Sequence, residues 1–359
     1  MKHRILFFNG TLGAGGAERV MTLLANHFLE NGEKVEIVLY HNKPIFYNLN
    51  KDIKITSILG KNVGRGFLYN LIWLRKYIVK NADIVISFNA SMNIYVLLAM
   101  IGLKNKIIVA DRNDPRKIPK KNYMRIFRNL LYHFADGIVV QNKGNIEYFD
   151  NFIKKKSTII YNPVELGDYK GKAFITPKKK RIVTIGRTIL QKNQKMLIEA
   201  FSKIKKRHQD YTLTIYGEGE LREELKQYAI SLGVGDSVEL PGAVKNVHDL
   251  ILDAEIFVLS SNYEGMPNAL IEAMVLGLPV ISTNVSGAAD LIINEENGLL
   301  VEVGNLIALE KALLKFIESK ELRRKCSLNS IKIANDLKIN IIVEQWRMFI
   351  NWVLEKGKR

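Results

Sequence analysis

Residues 256–274 read IFVLSSNYEGMPNALIEAM. The apolar run that opens this stretch predicts a buried strand, and the apolar periodicity that closes it predicts a helix. Between them, Gly265 permits a tight entry and Pro267 suits a first helical turn. Glu264 lies on this loop, and Glu272 lies more than one turn inside the helix. The stretch therefore predicts a strand-loop-helix unit that places two carboxylates near the carboxyl end of a strand.

Strands and helices alternate in this way along the whole chain of 359 residues. Several predicted strands are continuous apolar runs, which are typical of a parallel sheet covered on both faces. The predicted strands are Arg4–Phe8, Val35–Tyr40, Ile53–Ile58, Asp83–Phe88, Lys106–Ala110, Gly137–Val140, Thr158–Tyr161, Arg181–Gly186, Thr212–Gly217, Ser237–Leu240, Ile256–Ser260, Pro279–Ser282 and Gly298–Val301. The predicted helices include Ala17–Glu30, Tyr69–Lys80, Lys192–Arg207, Leu221–Leu232 and Asn305–Ile317.

The alternation restarts near residue 181, which predicts two doubly wound α/β domains in tandem. Prolines, glycines and a lysine run between Asn162 and Lys180 indicate a linker. We expect an N-terminal domain over residues 1–165, a C-terminal domain over residues 178–337 and a helix over residues 338–359. An apolar stripe on that last helix has to pack on protein, and the N-terminal domain is the expected partner.

The formal net charge of +17 is concentrated in the N-terminal half. Residues 1–165 contain 25 basic and 12 acidic side chains, whereas the remaining residues contain 28 and 24. A basic half indicates an anionic partner, such as nucleic acid, a phosphorylated substrate or an anionic membrane surface. A solvated lysine-rich surface would give the same composition.

Cysteine and hydropathy patterns exclude several classes of protein. The single cysteine, Cys326, allows no internal disulfide framework and no cysteine metal cluster, so a reducing compartment is expected. The first apolar run, Ile5–Phe8, is too short for the core of a signal peptide. The longest one, Ile94–Leu103, is about half of what a bilayer span requires. These patterns predict a cytoplasmic protein that can still lie on a membrane surface.

Two further loops after predicted strands carry chemistry that suits phosphate. Residues 9–19 read NGTLGAGGAER, and their glycines permit close backbone approach at a helix N-terminus, where free N–H groups favour anions. Their spacing matches neither the dinucleotide fingerprint nor a P-loop. In the second domain, Gly186 ends a strand and is followed by Arg187 and Lys192, which can neutralise a diphosphate without a metal. Taken singly, these loops and the two glutamates could be structural turns, ion pairs and helix caps.

Together the motifs resemble family 4 of the retaining glycosyltransferases with the GT-B fold, over nearly the whole chain. The most specific part is the E-x7-E pattern from Glu264 to Glu272. The glycine-rich first loop resembles that of the subgroup that builds bacterial surface polysaccharides and lipid-linked oligosaccharides. Further matches are Gly186-Arg187 with Lys192-Asn193, the segment Tyr161–Val164 and the turn Gly217–Leu221. The resemblance implies two Rossmann-like domains of the α/β class that face a central cleft, with the C-terminal helix docking across domains.

The activity implied by this resemblance is retaining transfer of a hexose or N-acetylhexosamine from a UDP-sugar by a front-face mechanism. Glu264, Arg187 and Lys192 are the implied catalytic residues, with Glu264 on the donor sugar and the two cations on the diphosphate. Glu272 would bind the ribose hydroxyls, and no cofactor and no metal are expected. The other implied donor-binding residues are Gly15, Gly16, Glu218, Val244, Gly265, Met266, Pro267, Asn268, Ala269 and Leu270.

The acceptor side is assigned to the basic half. Residues 109–116 read VADRNDPR, and Arg112 stands where many family members have a histidine. The implied acceptor-binding residues are Glu18, Arg112, Asn113 and Arg116. The stretch from Arg116 to Leu130 alternates cations and apolar residues, so it can rest on an anionic leaflet, meet a lipid pyrophosphate or pack its apolar face in the core.

The expected partners are a UDP-sugar, a polyprenyl-pyrophosphate-linked or other glycan acceptor and the inner face of the cytoplasmic membrane, with no nucleic acid. Two other functions remain compatible with parts of the sequence. A non-catalytic α/β protein that binds nucleic acid or an anionic surface would explain the charge but not the glutamate pair. A sugar-nucleotide epimerase of the same fold should lack the E-x7-E pattern.

Overall fold

The computed structural model describes residues 3–13, 15–60 and 66–356. The chain forms two compact α/β units, one of Met1–Pro163 with Ile339–Arg359 and the other of Val164–Lys338. Ala14, in the glycine-rich first loop, lies outside the described residues. Each unit has its own parallel sheet and its own apolar core.

The N-terminal unit is built on a seven-stranded parallel sheet in the order β3-β2-β1-β4-β5-β6-β7. The strands are β1 Arg4–Asn9, β2 Lys34–Leu39, β3 Lys54–Ser57, β4 Ile84–Phe88, β5 Lys106–Ala110, β6 Gly137–Val140 and β7 Ser157–Ile159. The central β4 reads IVISF and is buried throughout, because helices cover both faces of the sheet. The continuous apolar runs of the sequence therefore belong to the middle of this sheet.

Seven helices of the N-terminal unit lie in its described part. They are α1 Gly16–Glu30, α2 Phe67–Asn81, α3 Ala90–Met100, α4 Asn122–Tyr132, α5 Lys143–Glu147, α6 Asn151–Lys154 and the C-terminal α14 Ile339–Glu355. The apolar stretch Ile94–Leu103 belongs mostly to α3, which packs against β4, β5, α2 and α4 and is buried nearly all round. Across the described ranges, no helix is both long and apolar enough to cross a bilayer.

The C-terminal helix α14 packs on the N-terminal unit. Trp346 is fully buried and stacks on Phe88 of β4, with ring centroids 6.0 Å apart. At the start of β6, a Cβ on Gly137 would lie within 2.9 Å of the side chains of Val353 and Phe349. Glycine is therefore needed there so that the helix can lie directly against the strand.

The second unit is a six-stranded parallel sheet in the order β10-β9-β8-β11-β12-β13. The strands are β8 Lys179–Ile185, β9 Thr212–Tyr216, β10 Val238–Gly242, β11 Ala254–Leu259, β12 Val280–Thr283 and β13 Leu299–Val301. The helices are α7 Gln194–Lys205, α8 Arg222–Ser231, α9 Val247–Ile251, α10 Asn268–Leu276, α11 Ser286–Ala289, α12 Leu306–Glu318 and α13 Lys320–Ser330. Its strand order places β8 between β9 and β11, where the direction of winding reverses.

The segment expected as a linker is instead part of the second unit. It contains two 3₁₀ helices, Gly167–Tyr169 and Lys172–Phe174. The N–H of Gly171 donates to the carbonyl of Val275 at 2.9 Å, and the Phe174 ring lies against Gly277. The glycines that indicated a linker serve tight turns here, with a positive φ at both Gly167 and Gly171.

Candidate functional site

The loops after β8, β9, β10 and β11 are neighbours at the carboxyl edge of the second sheet. Ligands of open α/β sheets bind outside the carboxyl ends of the strands, next to the point where the winding reverses. Glu264, Lys192, Arg187, Glu218 and Val244 all lie on these loops. The fold therefore gathers these five residues, all expected to bind the donor, at one edge of the second sheet.

Glycines bring these loops into backbone contact. Gly217 has a φ of 135°, and a Cβ at this position would collide with the carbonyl of Gly186. A Cβ on Gly287, in α11, would collide with the carbonyl of Gly265. Because no side chain separates them, the loops after β8 and β9 touch, and α11 reaches the loop after β11.

Glu264 is held at this edge by three side chains. Its Oε1 lies 2.6 Å from the Lys192 ammonium and accepts a hydrogen bond from Ser261 Oγ at 2.7 Å. Its Oε2 accepts from Gln191 Nε2 at 3.3 Å. The Glu264 residue is only 7% exposed. An ion pair this far from water has to be well hydrogen-bonded to be tolerated, and this one is.

The loop after β8 positions the two predicted cations differently. The aliphatic chain of Lys192 runs along Gly186, where a Cβ would lie 3.2 Å from Lys192 Cε. The Lys192 carbonyl accepts from Ser260 Oγ at 2.9 Å, which ties the lysine to the end of β11. Arg187 is exposed, and its carbonyl accepts from Gln194 Nε2 at 2.9 Å. Lys192 thus has a fixed position, and Arg187 presents its guanidinium at the surface of the same loop.

Helix α10 begins directly behind the Glu264 loop. Pro267 is its N-cap residue, so the helix starts at Asn268, one position after the turn expected from the sequence. The positive end of the helix dipole therefore lies at the carboxyl edge of the sheet, next to Gly265 and Met266. Glu272 lies one turn inside α10, is almost fully buried, and its Oε2 is 3.1 Å from Nε2 of His248.

The two remaining donor-side residues lie at the periphery of this edge. Val244 follows β10 and is partly buried. Glu218 follows β9, is exposed and accepts from Arg222 Nη1 at 3.2 Å. Its carboxylate lies where a Cβ on Gly242 would be, and Gly242 has a φ of 85°. Among the described residues, no cluster of three or more His, Cys, Asp or Glu side chains could hold a metal ion.

In the N-terminal unit, the glycine-rich first loop leads into α1. Gly15 is the N-cap residue of this helix and Gly16 its first residue. The carboxylate of Glu18 turns back over Gly15, where a Cβ would collide with it. An acidic side chain in the first turn complements the helix dipole, and the missing side chain at Gly15 leaves room for it.

Arg112 lies two residues after β5, with its guanidinium 5.2 Å from the ring centroid of Phe88. Its Nη2 donates to Oδ1 of Asn162, whereas Nε and Nη1 are buried without a hydrogen-bond partner. Burial lowers the pKa of Arg112 to about 9, although the Glu18 carboxylate acts in the opposite direction. A guanidinium with two unused buried donors is poised for an additional acceptor group.

Asn113 and Arg116 are tied into the same loop. The Asn113 carbonyl accepts from Asn145 Nδ2 at 2.9 Å. Arg116 Nη2 donates to the carbonyl of Gly144 at 2.7 Å, and the guanidinium lies 5.8 Å from the Tyr148 ring centroid. Both residues therefore connect the loop after β5 to α5.

Arg128, one of the cations of the stretch 116–130, lies in the core of the N-terminal unit. It is fully buried, with Nη1 2.6 Å from the carbonyl of Ile118 and Nη2 3.0 Å from that of Pro115. Its Nη1 lies 3.5 Å from Oδ2 of Asp111, which also accepts from Tyr132 Oη. Burial raises the pKa of Asp111, and the facing guanidinium acts against that shift. The pair holds the loop that carries Arg112 and Asn113.

Four residues at these sites were missed by sequence reasoning. Gln191 and Ser261 adjoin the motifs and were detectable as polar neighbours of Lys192 and Glu264. His248 and Arg128 meet their partners only through the fold, because 24 residues separate His248 from Glu272 and nothing in the local pattern links them.

The chain matches known families and proteins over nearly its whole length. A family model described as Glycosyltransferase Family 4 matches residues 14–168, and one described as Glycosyl transferases group 1 matches residues 168–333. The chain is 32% identical to an α-1,4-N-acetyl-D-galactosaminyltransferase of Campylobacter jejuni subsp. jejuni serotype O:2, over 97% of this chain and 98% of that protein. That relative is named for its acceptor, GalNAc-α-(1→4)-GalNAc-α-(1→3)-diNAcBac-PP-undecaprenol.

Two further similarities concern nucleotide sugars. The UDP-Gal:α-D-GlcNAc-diphosphoundecaprenol α-1,3-galactosyltransferase of Escherichia coli is 30% identical over 215 residues, 56% of each chain. The solved structure of HepE from Anabaena, in complex with UDP and glucose, superposes with a TM-score of 0.83 at 17% identity, over 97% of this chain and 99% of that one. At this identity the likeness shows the fold alone, and it confirms the predicted GT-B fold.

Proposed function

Because this chain belongs to family 4 of the GT-B glycosyltransferases, we propose that it transfers a hexose or N-acetylhexosamine from a UDP-sugar to a polyprenyl-diphosphate-linked glycan. The names of its relatives in Campylobacter jejuni and Escherichia coli support this choice of donor and acceptor class. The observation that carries the proposal is the largely buried Lys192–Glu264 ion pair at the carboxyl edge of the second sheet.

The donor is proposed to bind along this edge. Arg187 and Lys192 neutralise the diphosphate, and the N-terminus of α10 adds the positive end of its dipole. Glu272 accepts hydrogen bonds from the ribose hydroxyls, and Glu264 accepts from the donor sugar. Val244 and Glu218 border the nucleotide. The backbone of Gly265–Leu270 completes the sugar and phosphate contacts.

The proposed transfer retains the anomeric configuration. The bond between the anomeric carbon and the phosphate oxygen breaks, and its electron pair stays on UDP. The acceptor hydroxyl oxygen forms the new bond on the same face of the sugar, and its proton goes to the leaving phosphate. Lys192, Arg187 and the start of α10 stabilise the negative charge that grows on the diphosphate. With these cations in place, the step is proposed to need no metal and no enzyme nucleophile.

The acceptor is assigned to the N-terminal unit. Arg112, with its two unused buried donors, is proposed to bind a polar or anionic group of the acceptor, together with Glu18, Asn113 and Arg116. Gly15 and Gly16, which are expected to bind the donor, leave room for a phosphate at the N-terminus of α1. The basic composition of residues 1–165 supports an anionic lipid carrier as part of the acceptor.

A panel of UDP-sugars, incubated with a mixture of polyprenyl-diphosphate-linked glycans, tests the proposed function. We expect UDP release that depends on the acceptor, a glycan product with the α-anomer of the donor preserved in its NMR spectrum, and unchanged rates in excess EDTA. Inverted product would refute retention, and a loss of activity that Mg²⁺ or Mn²⁺ restores would refute the metal-free step. If no UDP-sugar supports transfer but another nucleotide sugar does, the proposed class of donor is wrong.

Helix α4 provides a surface for the membrane that carries such an acceptor. Its exposed apolar residues lie three and four positions apart, which places them on one side of the helix. We define this set as the α4 stripe; it comprises Tyr123, Ile126, Phe127, Leu130 and, just beyond the helix, Phe134. Leu130 is 59% exposed. Lys117, Lys120 and Lys121 are exposed just before the helix.

We propose that the α4 stripe enters an anionic membrane surface, on the inner face of the cytoplasmic membrane. An amphipathic helix with adjoining lysines has the composition of an interfacial anchor. Helix α2, which like α4 packs against α3, also carries exposed apolar residues, Leu68 and Ile72.

Co-sedimentation with vesicles of phosphatidylcholine, with and without phosphatidylglycerol, tests the proposed membrane contact. We expect binding that needs the anionic lipid and that the double substitution Ile126→Ser with Leu130→Ser abolishes. The control is Ile307→Ser, since Ile307 is equally exposed on α12 of the second unit. Binding that is indifferent to the anionic lipid, or unchanged in the double variant, would contradict the proposal.

A further inference from the structure

The carboxylate of Glu272 has a neighbour that neither the motifs nor the proposed mechanism uses. Nε2 of His248 lies 3.1 Å from Glu272 Oε2. Both side chains are largely removed from solvent, with 22% of the His248 side chain and 9% of the Glu272 side chain exposed. A hydrogen bond in this environment can hold a carboxylate in one rotamer.

The imidazole is itself held in place by the fold. His248 is the second residue of α9, which follows Asn246, a residue with a positive φ of 54°. On its other side lies the ring of Tyr169, with a centroid separation of 5.8 Å. Tyr169 Oη lies 2.9 Å from each carboxylate oxygen of Asp249, the next residue of α9. The 3₁₀ helix that contains Tyr169 therefore supports α9 beside α10.

Nε2 is the ring nitrogen of His248 that faces Glu272. In the geometry observed, Nε2–H donates and Oε2 accepts, which both the neutral imidazole with its hydrogen on Nε2 and the imidazolium allow. The contact fixes one oxygen of the carboxylate and thereby the plane in which the other can accept. A glutamate that must meet two adjacent hydroxyl groups gains from such fixing, because the orientation is set before the ligand arrives.

We propose that His248 is the positioning residue of Glu272, and that it sets how strongly the enzyme discriminates nucleotides by their ribose hydroxyls. This inference rests on the proposed function, in which Glu272 binds the ribose. His248 is not a catalytic residue, since it acts through Glu272 and touches no reacting atom. Substitution of His248 should weaken the binding of each nucleotide in proportion to the number of hydrogen bonds that Glu272 makes to it.

The test measures the affinity of UDP and of 2′,3′-dideoxy-UDP by calorimetric titration. Loss of one hydrogen bond to a charged group corresponds to an affinity change on the order of tenfold or more. We expect His248→Ala to lower the affinity for UDP by about tenfold and the affinity for dideoxy-UDP by less than about twofold. In the glycosyl-transfer assay the same variant should raise the KM for the donor and leave kcat nearly unchanged.

Two further variants separate positioning from folding. His248→Gln places an amide nitrogen near the position of Nε2, so it should restore most of the preference for UDP over dideoxy-UDP. His208→Ala is the matched control, since His208 lies in the same unit and packs against Tyr211, away from α10. It should leave both affinities unchanged.

Glu272→Ala distinguishes failure of the inference from failure of the function. If this variant loses the preference for UDP over dideoxy-UDP while His248→Ala keeps it, the positioning role is wrong and the ribose site stands. If Glu272→Ala keeps the preference, the ribose assignment in the proposed function is wrong as well. Equal weakening of both nucleotides by His248→Ala would also overturn the inference, because it would show a general loss of the site.

Discussion

Glu264 owes its position to three side chains, and Lys192 supplies the only full charge among them. Substitution of Glu264 by Gln preserves its shape but removes the charge that faces Lys192 and replaces one of the two acceptor oxygens by an NH2 donor. We expect the turnover rate at saturating donor to fall by about 10²–10³, which is typical for loss of one electrostatic contact of a transition state. Steady-state UDP release with a lipid-linked acceptor measures this.

The matched control for this substitution is Glu220→Gln. Both substitutions remove one negative charge, so the two variants have the same net charge. Glu220 lies in the turn after β9 and is exposed, so Glu220→Gln should retain the wild-type rate. Near-normal transfer by Glu264→Gln would remove Glu264 from the reacting centre.

Loss of Arg128 should strongly destabilise the N-terminal unit. Its guanidinium is fully buried against Asp111 and two carbonyls. Arg128→Met leaves the Asp111 carboxylate buried without its charge partner, which destabilises proteins by about 3–5 kcal/mol. Urea unfolding measures the loss, and the exposed Lys121→Met should stay within about 0.5 kcal/mol of wild type.

The double substitution Arg128→Met with Asp111→Asn removes both charges of this pair. It should lose less free energy of unfolding than the sum of the single changes, since neither charge remains unpaired. Additive losses would show that the two residues do not act as a pair.

At the scale of elements, Lys156 packs at the end of α4 and makes the free energy of unfolding depend on pH. Its ammonium donates to the carbonyls of His133 and Ala135, and burial lowers its pKa to about 8. An unfolded lysine keeps a pKa near 10.4, so the unfolded chain binds more protons between these values. The contribution of Lys156 to the free energy of unfolding therefore rises as the pH increases from about 8 to about 10.

Urea unfolding of the wild type and of Lys156→Met at several pH values checks this sign. We expect the wild type to gain stability relative to the variant as the pH rises through this window. A constant difference between the two proteins would contradict the lowered pKa.

The elements themselves were largely predictable, because burial on a parallel sheet produces continuous apolar runs. Each predicted strand is present, and the helix predicted over Asn305–Ile317 is displaced by one residue at either end. The orientation of α4 could not be predicted, since its cations and apolar residues alternate. Arg128 is buried against Asp111, whereas Leu130 is exposed to solvent. That orientation depends on an acidic partner in the loop after β5.

At the scale of the whole molecule, the chain has two cores that can respond separately to mutation. Trp346 of α14 is buried against Phe88 in the N-terminal core, whereas Trp352 of the same helix is partly exposed. Trp346→Ala should cost about 3–5 kcal/mol, as the loss of a buried aromatic side chain does. Calorimetry should show one transition shifted to lower temperature and a second transition, that of Val164–Lys338, unmoved.

Trp352→Ala serves as the control for the same helix and should shift the first transition by much less. A shift of both transitions by Trp346→Ala would contradict the assignment of α14 to the N-terminal unit alone.

The candidate site was predictable only where its functional residues belong to a contiguous sequence motif. Glu264 and Lys192 belong to loops that follow neighbouring strands, so the topology brings them together once the strands are assigned. Gly186 leaves the path of the Lys192 chain open, since a Cβ there would lie 3.2 Å from Lys192 Cε. His248 carries no local signal, since its relation to Glu272 arises from the way α9 and α10 pack.

The return of α14 to the first unit bears on the order in which the protein is made. Residues 339–355 leave the ribosome after the entire second unit, yet they complete the core that β1 begins. Domains commonly fold as units during synthesis, so Val164–Lys338 can finish folding while the earlier unit still exposes Phe88 and Gly137. The first domain to be translated is thus the last to be completed, and until then its apolar surface is open to chaperones.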